Sequence, residues 1–526
     1  MIKVVTALHM RAIDARTIGE MKIPGAVLME NAGAAVAAAV VERFPNPAGL
    51  KVSVFLGKGN NGGDGFVAAR RLMNMGADVT AFLLARKEEV KGDAAGNLAA
   101  FEAMGGAVKE ITEARHLGNF KLKFMHSAVM VDALLGTGLS QAPHGLIAEM
   151  IGVINQSPGY KVAVDLPSGM YSDGGIIPGV CVRADVTVTF GLPKVGLVTF
   201  PARRLAGHLI IADISIPARV TDESPCAAFV MEWEDAMALL PSRSPEAHKG
   251  SFGHLAMACG SVGMGGTAAL AGLAALRMGV GLVTAAAPQP LCAAYETAVP
   301  EMMTLPLPHT AGGAISSLAA EKFIAFARDK TAALMGPGLR TDESTARFVH
   351  QVCRELDIPL LIDADGLNNI GLDISAIKNR KAPTVITPHP GEMARLTGKS
   401  VEEIQADRLG AAADYARETG AVVVLKGAGT VIAAPGQAPR INLTGNHGLA
   451  TGGSGDVLAG MIAGLMAQGV APLDAASAGV WLHGRCADIY AMDADARTLI
   501  PTDIIGLIPK AIAEATRPDK SQKRRV

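Results

Sequence analysis

The sequence predicts a two-domain α/β protein whose parallel sheets are covered by helices, and three observations carry that prediction. At 526 residues the chain exceeds what one ordinary hydrophobic core organises. Short aliphatic runs, each followed by a Gly-rich loop and an amphipathic segment, recur along both halves. Hydrophobic residues make up 49%, charged residues 18% and aromatics 4%, with 60 glycines. That mixture suits buried aliphatic strands joined by tight turns, not a disordered chain or a secreted disulfide scaffold.

In the first half, strands are expected at 52–56, 79–84, 129–132, 162–165, 186–190 and 209–212. A helix is expected at 66–75, stopped by Gly76. The second half repeats the style with strands at 255–258, 281–286, 332–335, 360–362, 385–387 and 422–425. Between Ile216 and Ser244 the rhythm breaks. Pro217, the polar run Thr221-Asp222-Glu223-Ser224-Pro225 and the Pro241–Pro245 stretch place the domain seam there. The end of the chain, 516–526, is basic and polar and reads as a frayed tail.

Charge and cysteine usage exclude several classes. A net charge of −1 offers no general attraction to nucleic acid or to an anionic membrane. The six cysteines (Cys181, Cys226, Cys259, Cys292, Cys353 and Cys486) form no CxxC or Cys/His cluster, so they read as reduced core thiols. The start of the chain lacks a signal-peptide apolar core, and no uncharged apolar stretch of about 20 residues offers a membrane span. A cytoplasmic enzyme or binding protein is expected.

In the first half, Gly57-Lys58-Gly59-Asn60-Asn61-Gly62-Gly63-Asp64-Gly65 joins a strand to a helix. Glycines let the backbone approach a ligand, and a helix N-terminus favours a phosphate. Gly57-x-Gly59-x-x-Gly62 meets the dinucleotide fingerprint, but the next strand ends in Ala85-Arg86, without the acid that holds a ribose. Asp132, the loop Gly136-Thr137-Gly138-Leu139-Ser140-Gln141-Ala142, Asp165 and Ser168 all fall at strand C-termini, where open parallel sheets bind ligands. An acid directly after Val162-Ala163-Val164 is costly to bury unpaired, so Asp165 is read as a proton-transfer group. Asn61, Asp132 and Ser168 are hard oxygen donors compatible with a weakly held cation.

At Gly59–Gly65, Val131-Asp132-Ala133-Leu134-Leu135-Gly136-Thr137-Gly138 and Val164-Asp165-Leu166-Pro167-Ser168-Gly169, this half resembles the YjeF N-terminal family of NAD(P)HX epimerases. The resemblance spans residues 1–216 and implies a Rossmann-like three-layer αβα domain. It implies that Asn60, Asn61, Gly62, Gly63, Asp64 and the 136–142 loop bind substrate. It further implies that Asp165 is the acid/base and that Asn61, Asp132 and Ser168 hold K⁺.

The second half carries Thr451-Gly452-Gly453-Ser454-Gly455-Asp456 ahead of a helix expected from about 456 to 466. That arrangement makes an anion hole with a carboxylate beside it, the two parts needed to transfer a phosphoryl group to an alcohol. A strand ending in Lys426-Gly427-Ala428-Gly429-Thr430 offers N–H groups and a cation to a nucleotide phosphate. Thr387-Pro388-His389-Pro390-Gly391-Glu392 places Glu392 to orient hydrated Mg²⁺ and His389 to touch substrate, with a buried structural histidine as the alternative. Asp363 and Asp365 end another strand, and Gly336-Pro337-Gly338 another. No Walker A sequence is present.

These motifs, with His248–Gly253, Gly260-Ser261, Gly265-Gly266-Thr267 and Ala275–Val283, resemble the ribokinase superfamily and, within it, the NAD(P)HX dehydratases. The resemblance implies a ribokinase-like α/β domain over 236–515, joined to the first by a linker at 217–235. It implies that Thr267, Gly338, His389 and Asp456 contact the hydrated nucleotide. Lys426, Gly427, Ala428, Gly429, Thr430 and Gly455 would hold the adenine nucleotide, with ADP as co-substrate and Mg²⁺ as its metal. The expected small-molecule partners are then NADHX, NADPHX and ADP, with a homo-oligomeric enzyme and neither nucleic acid nor membrane. The alternatives are a small-alcohol kinase of vitamin-precursor metabolism and an inactive nucleotide-binding scaffold. The presence of both Asp165 and Asp456 argues against the scaffold, and the fused first half against the kinase.

Overall fold

Alternate residues of Val52-Ser53-Val54-Phe55-Leu56 point to opposite faces of a strand, and both faces are covered. Val52, Val54 and Leu56 join one core cluster, while Phe55 joins another with Phe82, Phe124 and Met130. Such two-sided burial makes a three-layer domain. The computed structural model describes residues 1–515, divided into one unit at 2–228 and a second from 229 onward.

In the N-terminal unit the helix α1 (Gly25–Arg43) precedes β1 (Lys51–Leu56), α2 (Asn60–Asn74), β2 (Asp78–Leu83) and β3 (Ala107–Glu110). Then follow β4 (Val129–Ala133), β5 (Tyr160–Val164), β6 (Val186–Phe190) and β7 (His208–Ala212). They form a 7-stranded sheet in the order β3-β2-β1-β4-β5-β6-β7, parallel throughout. The order reverses between β1 and β4, so a crevice opens where α2 leaves β1 and the 134–144 loop leaves β4. The helix α1 is long and apolar enough to cross a membrane by length and composition. Its Leu28, Ala32, Val36 and Val40 lie on one face, at i, i+4 spacing, and pack into the domain core.

One expectation is corrected here. The helix expected at 66–75 begins at Asn60, so the Asn-Asn-Gly-Gly-Asp run is its first turn, not a loop. Low helix propensity loses to packing: a Cβ on Gly62 would lie 1.9 Å from the Gly57 carbonyl oxygen, so this turn is seated directly on the end of β1. The stretch 217–235 is structured, with helices Ala218–Glu223 and Trp233–Ala238 and the strand β8 (Ala228–Val230).

The C-terminal unit continues with β9 (His254–Ala258), α3 (Gly266–Arg277), β10 (Leu282–Pro288), β11 (Met303–Leu307), β12 (Ala332–Met335) and β13 (Leu360–Ile362). After these come β14 (Thr384–Ile386), α4 (Pro390–Thr397), α5 (Arg408–Thr419), β15 (Val422–Leu425), β16 (Val431–Ala433) and β17 (Arg440–Ile441). The helices α6 (Ser454–Ala467) and α7 (Pro472–Asp493) follow. Their sheet runs β8-β17-β16-β15-β14-β13-β12-β9-β10-β11. From β11 to β15 it is parallel; β16 pairs antiparallel with both β15 and β17. Leu255 and Met257 face one core and Ala256 and Ala258 the other. The tail at 516–526 lies outside the described residues.

Candidate active sites

In the N-terminal unit, Asp165 directly follows β5 in a left-handed conformation with φ of 65° and is nearly buried. Its Oδ1 accepts a 3.0 Å hydrogen bond from Thr189 Oγ1 and a 2.5 Å ion pair from Lys194 Nζ. Lys194 is 1% exposed, and its remaining bonds go to Thr189 Oγ1 and the Phe190 carbonyl. Two further carboxylates feel this pair. Burial raises Asp14 to about 6, with Asp165 adding to the rise and Lys194 opposing it. Burial, then Asp165 and Asp14, push Asp64 well above the ordinary carboxylate range. One ammonium thus stands among three acids, two of them raised above the ordinary carboxylate range chiefly by burial.

Beside it, the fully buried Asp132 accepts Ser168 N–H at 2.7 Å and Ser168 Oγ–H at 2.6 Å, and Leu135 N–H donates to Ser168 Oγ at 2.9 Å. Burial pushes Asp132 up to about 6 despite these bonds. The Asn61 side-chain nitrogen is buried without a hydrogen-bond partner among the described residues. The side chain lies against Gly136, where a Cβ would be 3.4 Å from Asn61 Oδ1, so residues from the two sides of the switch point meet. The oxygens of Asn61, Asp132 and Ser168 are a hard donor set that fits a monovalent cation. Gly138, Ser140, Gln141 and Ala142 are exposed, while Gly136, Thr137 and Leu139 are half-buried.

In the C-terminal unit the candidate residues collect at the C-terminal ends of β12 to β15. Lys426 Nζ lies 2.7 Å from Asp363 Oδ1 and 3.8 Å from Glu392 Oε2. Burial disfavours its charge, but the two acids outweigh burial and raise its pKa. The ammonium expected to meet a phosphate is therefore engaged by carboxylates, leaving the turn 427–430 between β15 and β16 to present backbone. The first turn of α6 stands over this pair: a Cβ on Gly455 would be 3.6 Å from Lys426 Nζ. Asp456, one residue on, is half-buried, and burial followed by Asp363 pushes it up to about 7 against the pull of Lys426. A carboxylate of that pKa is matched to proton transfer at neutral pH.

His389 is exposed, which sets aside the buried structural reading. Its Nδ1 accepts N–H bonds from Gly391 and Glu392 as the N-cap of α4, so Nε2 carries the proton and is a donor. Partial desolvation of the ring lowers its pKa, opposed by Glu392 and aided by Lys426. Glu392 is buried, and its Oε2 accepts the His389 N–H at 2.7 Å. Thr267 and Gly338 meet: a Cβ on Gly338 would lie 2.5 Å from Thr267 Oγ1, whose proton goes to Met264 O or Pro337 O. Among the described residues, no three His, Cys, Asp or Glu side chains cluster as a metal cage. The paired oxygens of Asp363 and Glu392 fit a metal that arrives with its own phosphate ligands and waters.

Two family profiles match these units: "YjeF-related protein N-terminus" at residues 25–196 and "NAD(P)H-hydrate dehydratase" at 255–510. A bifunctional NAD(P)H-hydrate repair enzyme of Moorella thermoacetica is 42% identical over 506 residues, covering 96% of each chain. The chain belongs to the bifunctional NAD(P)H-hydrate repair enzymes. The Thermofilum pendens member is 39% identical, covering 97% of this chain and 96% of its own. Among solved structures, an ADP/ATP-dependent NAD(P)H-hydrate dehydratase from Bacillus subtilis is 32% identical, covers 55% of this chain and 99% of its own, and has a TM-score of 0.47.

Sequence reading missed Lys194, Asp14 and His483 in these repair-enzyme sites. Lys194 had a signal, being the one charged residue in Phe190-Gly191-Leu192-Pro193-Lys194-Val195-Gly196-Leu197-Val198, where a lone cation implies a buried partner. Asp14 sits on an unremarkable helix, Ala7–Gly19. His483, on α7, is buried, and burial lowers its pKa to about 4. Its Nε2 is 3.0 Å from the carbonyl of Ser454, the first residue of α6, which makes it a neutral donor that anchors the anion-hole turn.

Proposed function

We propose that this enzyme repairs hydrated NADH and NADPH in two steps, one in each unit. The N-terminal unit interconverts the R and S epimers, with Asp165 as the proton-transfer group and Lys194 holding it in position. The observation that supports this is the buried Asp165–Lys194 pair, beside which Asp14 and Asp64 are raised by burial. Asn61, Asp132 and Ser168 would hold K⁺, which supplies charge to fix the substrate loop.

The C-terminal unit removes water from the S epimer at the expense of ADP. Asp456 accepts the proton of the 6-hydroxyl as that oxygen bonds to the β-phosphorus. The bond from the β-phosphorus to its bridging oxygen breaks, and AMP leaves. The C6–O bond then breaks with departure of phosphate, driven by the ring-nitrogen lone pair, and loss of a C5 proton restores the dihydronicotinamide. The free N–H groups at the start of α6 stabilise the transferring oxygens. His389 Nε2–H and the Gly338 backbone orient the hydrated ring, and the 426–430 turn with Gly455 holds the nucleotide. Asp363 and Glu392 would hold Mg²⁺ through its waters, and the ion would neutralise charge developing on the phosphates. The single observation that carries this reading is Asp456, tuned to about 7 at the N-terminus of α6 beside the Lys426–Asp363 pair. All six cysteines are free, which suits the reducing cytoplasm in which we place the enzyme.

The test is product stoichiometry. Hydrated NADH, ADP and Mg²⁺ should give NADH, AMP and orthophosphate in equal amounts. NADH formation without AMP would overturn the phosphoryl-transfer step.

A further inference from the structure

Arg408, the first residue of α5, is 6% exposed, and its guanidinium faces no carboxylate within ion-pair distance among the described residues. Burial lowers its pKa to about 10, so it stays charged at neutral pH. Its contacts go elsewhere. Nη1 donates to Gln405 Oε1 at 2.8 Å, and Nε is buried without a partner. Nη2 donates to two consecutive carbonyls, Leu425 O at 2.9 Å and Lys426 O at 3.1 Å.

Successive carbonyls of an extended strand point to opposite sides, so their convergence on one nitrogen marks where the chain turns out of β15. A trans peptide sets the N–H of one residue opposite the carbonyl before it. The Lys426 carbonyl points at Arg408, so the Gly427 N–H points away from it, toward the open side of the turn. No hydrogen bond among the described residues uses the N–H groups of Gly427, Ala428 or Gly429. Gly427 has a φ of 141°, and a Cβ there would lie 3.1 Å from Arg408 Nη2, so the turn rests directly on the guanidinium. The Lys426 side chain is held by Asp363, whose Oδ1 lies 2.7 Å from Nζ. A buried cation with no counter-ion among the described residues is costly, and an anion in the turn above it removes that cost.

We propose that Arg408 is the positioning residue for the diphosphate of the nucleotide: it turns the Gly427 N–H outward and puts a fixed positive charge beneath the 427–429 turn. This rests on reading that turn as the nucleotide site. Arg408 acts through the backbone and through its field, and it does not touch the reacting atoms.

The experiment uses the full chain with Arg408→Met and Arg408→Lys. Binding of ADP and of AMP is measured by calorimetry, which needs no turnover, and KM for ADP and for hydrated NADH by initial rates. Losing charge-assisted bonds of this kind predicts a rise of roughly 10- to 100-fold in Kd and KM for ADP in Arg408→Met. KM for hydrated NADH should stay unchanged, and AMP, with less phosphate charge, should lose less than ADP. Arg408→Lys restores the charge but not the fork, so it should lie between wild type and Arg408→Met. An unmoved Kd for ADP in folded variants, or an equal rise in KM for both substrates, overturns the proposal. If Arg408→Met does not fold, Arg408→Lys decides on the same criteria. Wild-type chain that binds ADP without turning over would overturn the dehydratase reading and leave this test standing; wild-type chain that binds no ADP overturns both.

Discussion

Lys194 meets Asp165 at 2.5 Å across the ends of β5 and β6, with the lysine side chain 1% and the aspartate side chain 13% exposed. Removing one partner of a buried pair strands the other. Lys194→Met should therefore cost on the order of 3–5 kcal/mol of stability, read as a lower Tm, and should abolish epimer exchange. Lys194→Arg keeps the charge and should recover much of the stability. Retained exchange in Lys194→Met would show that Asp165 works without its cation.

Asp456 is predicted to trade stability for chemistry. As the base it acts ionised, so dehydration should rise with pH through about 7 and then level. Asp456→Asn should lower kcat by about 10²- to 10⁴-fold while ADP binding persists. The stability sign is opposite. A folded pKa above the unfolded value of 3.8 favours the folded state at low pH, and this contribution is lost as pH rises through about 7. Asp456→Asn should raise Tm at pH 8 and change it little at pH 4. A variant that is equally destabilised at both pH values would contradict the burial argument.

Much of this was legible in the sequence, for a physical reason. Strands buried on both faces, such as Val422-Val423-Val424-Leu425, are aliphatic without interruption, and acids placed at their ends stand out. Thus Asp132 and Asp165 stand out at strand ends, and Asp456 stands out beside its glycine cluster. Edge and short strands were not: Ala107–Glu110 is mostly exposed, and Arg440–Ile441 is held by its neighbours in the sheet. Partners distant in sequence also leave no local trace. Lys194 lies 29 residues from Asp165, and His483 lies 29 from Ser454. Arg408 reads as one more charged residue opening a helix, because only the fold buries it under β15. The start of α2 was misread because Asn and Gly disfavour helix locally, whereas the seat on β1 decides.

The cation site gives a separate check. Adding K⁺ in place of a bulky organic cation should raise Tm and speed epimer exchange. Asp132→Asn should lose both responses, because the buried carboxylate is the charged member of the Asn61, Asp132 and Ser168 set. Full activity without any small monovalent cation would remove K⁺ from the account.

The central claim is that two linked activities clear both epimers, and one measurement tests it directly. Separated R- and S-hydrated NADH are each given to wild type and to Asp165→Asn with ADP and Mg²⁺, and absorbance at about 340 nm, the reduced-nicotinamide band, is followed. Wild type should recover both epimers, whereas Asp165→Asn should recover S at the wild-type rate and leave R beyond its spontaneous conversion. Equal recovery of R and S by Asp165→Asn, or no recovery by wild type with either ADP or ATP, would contradict the account.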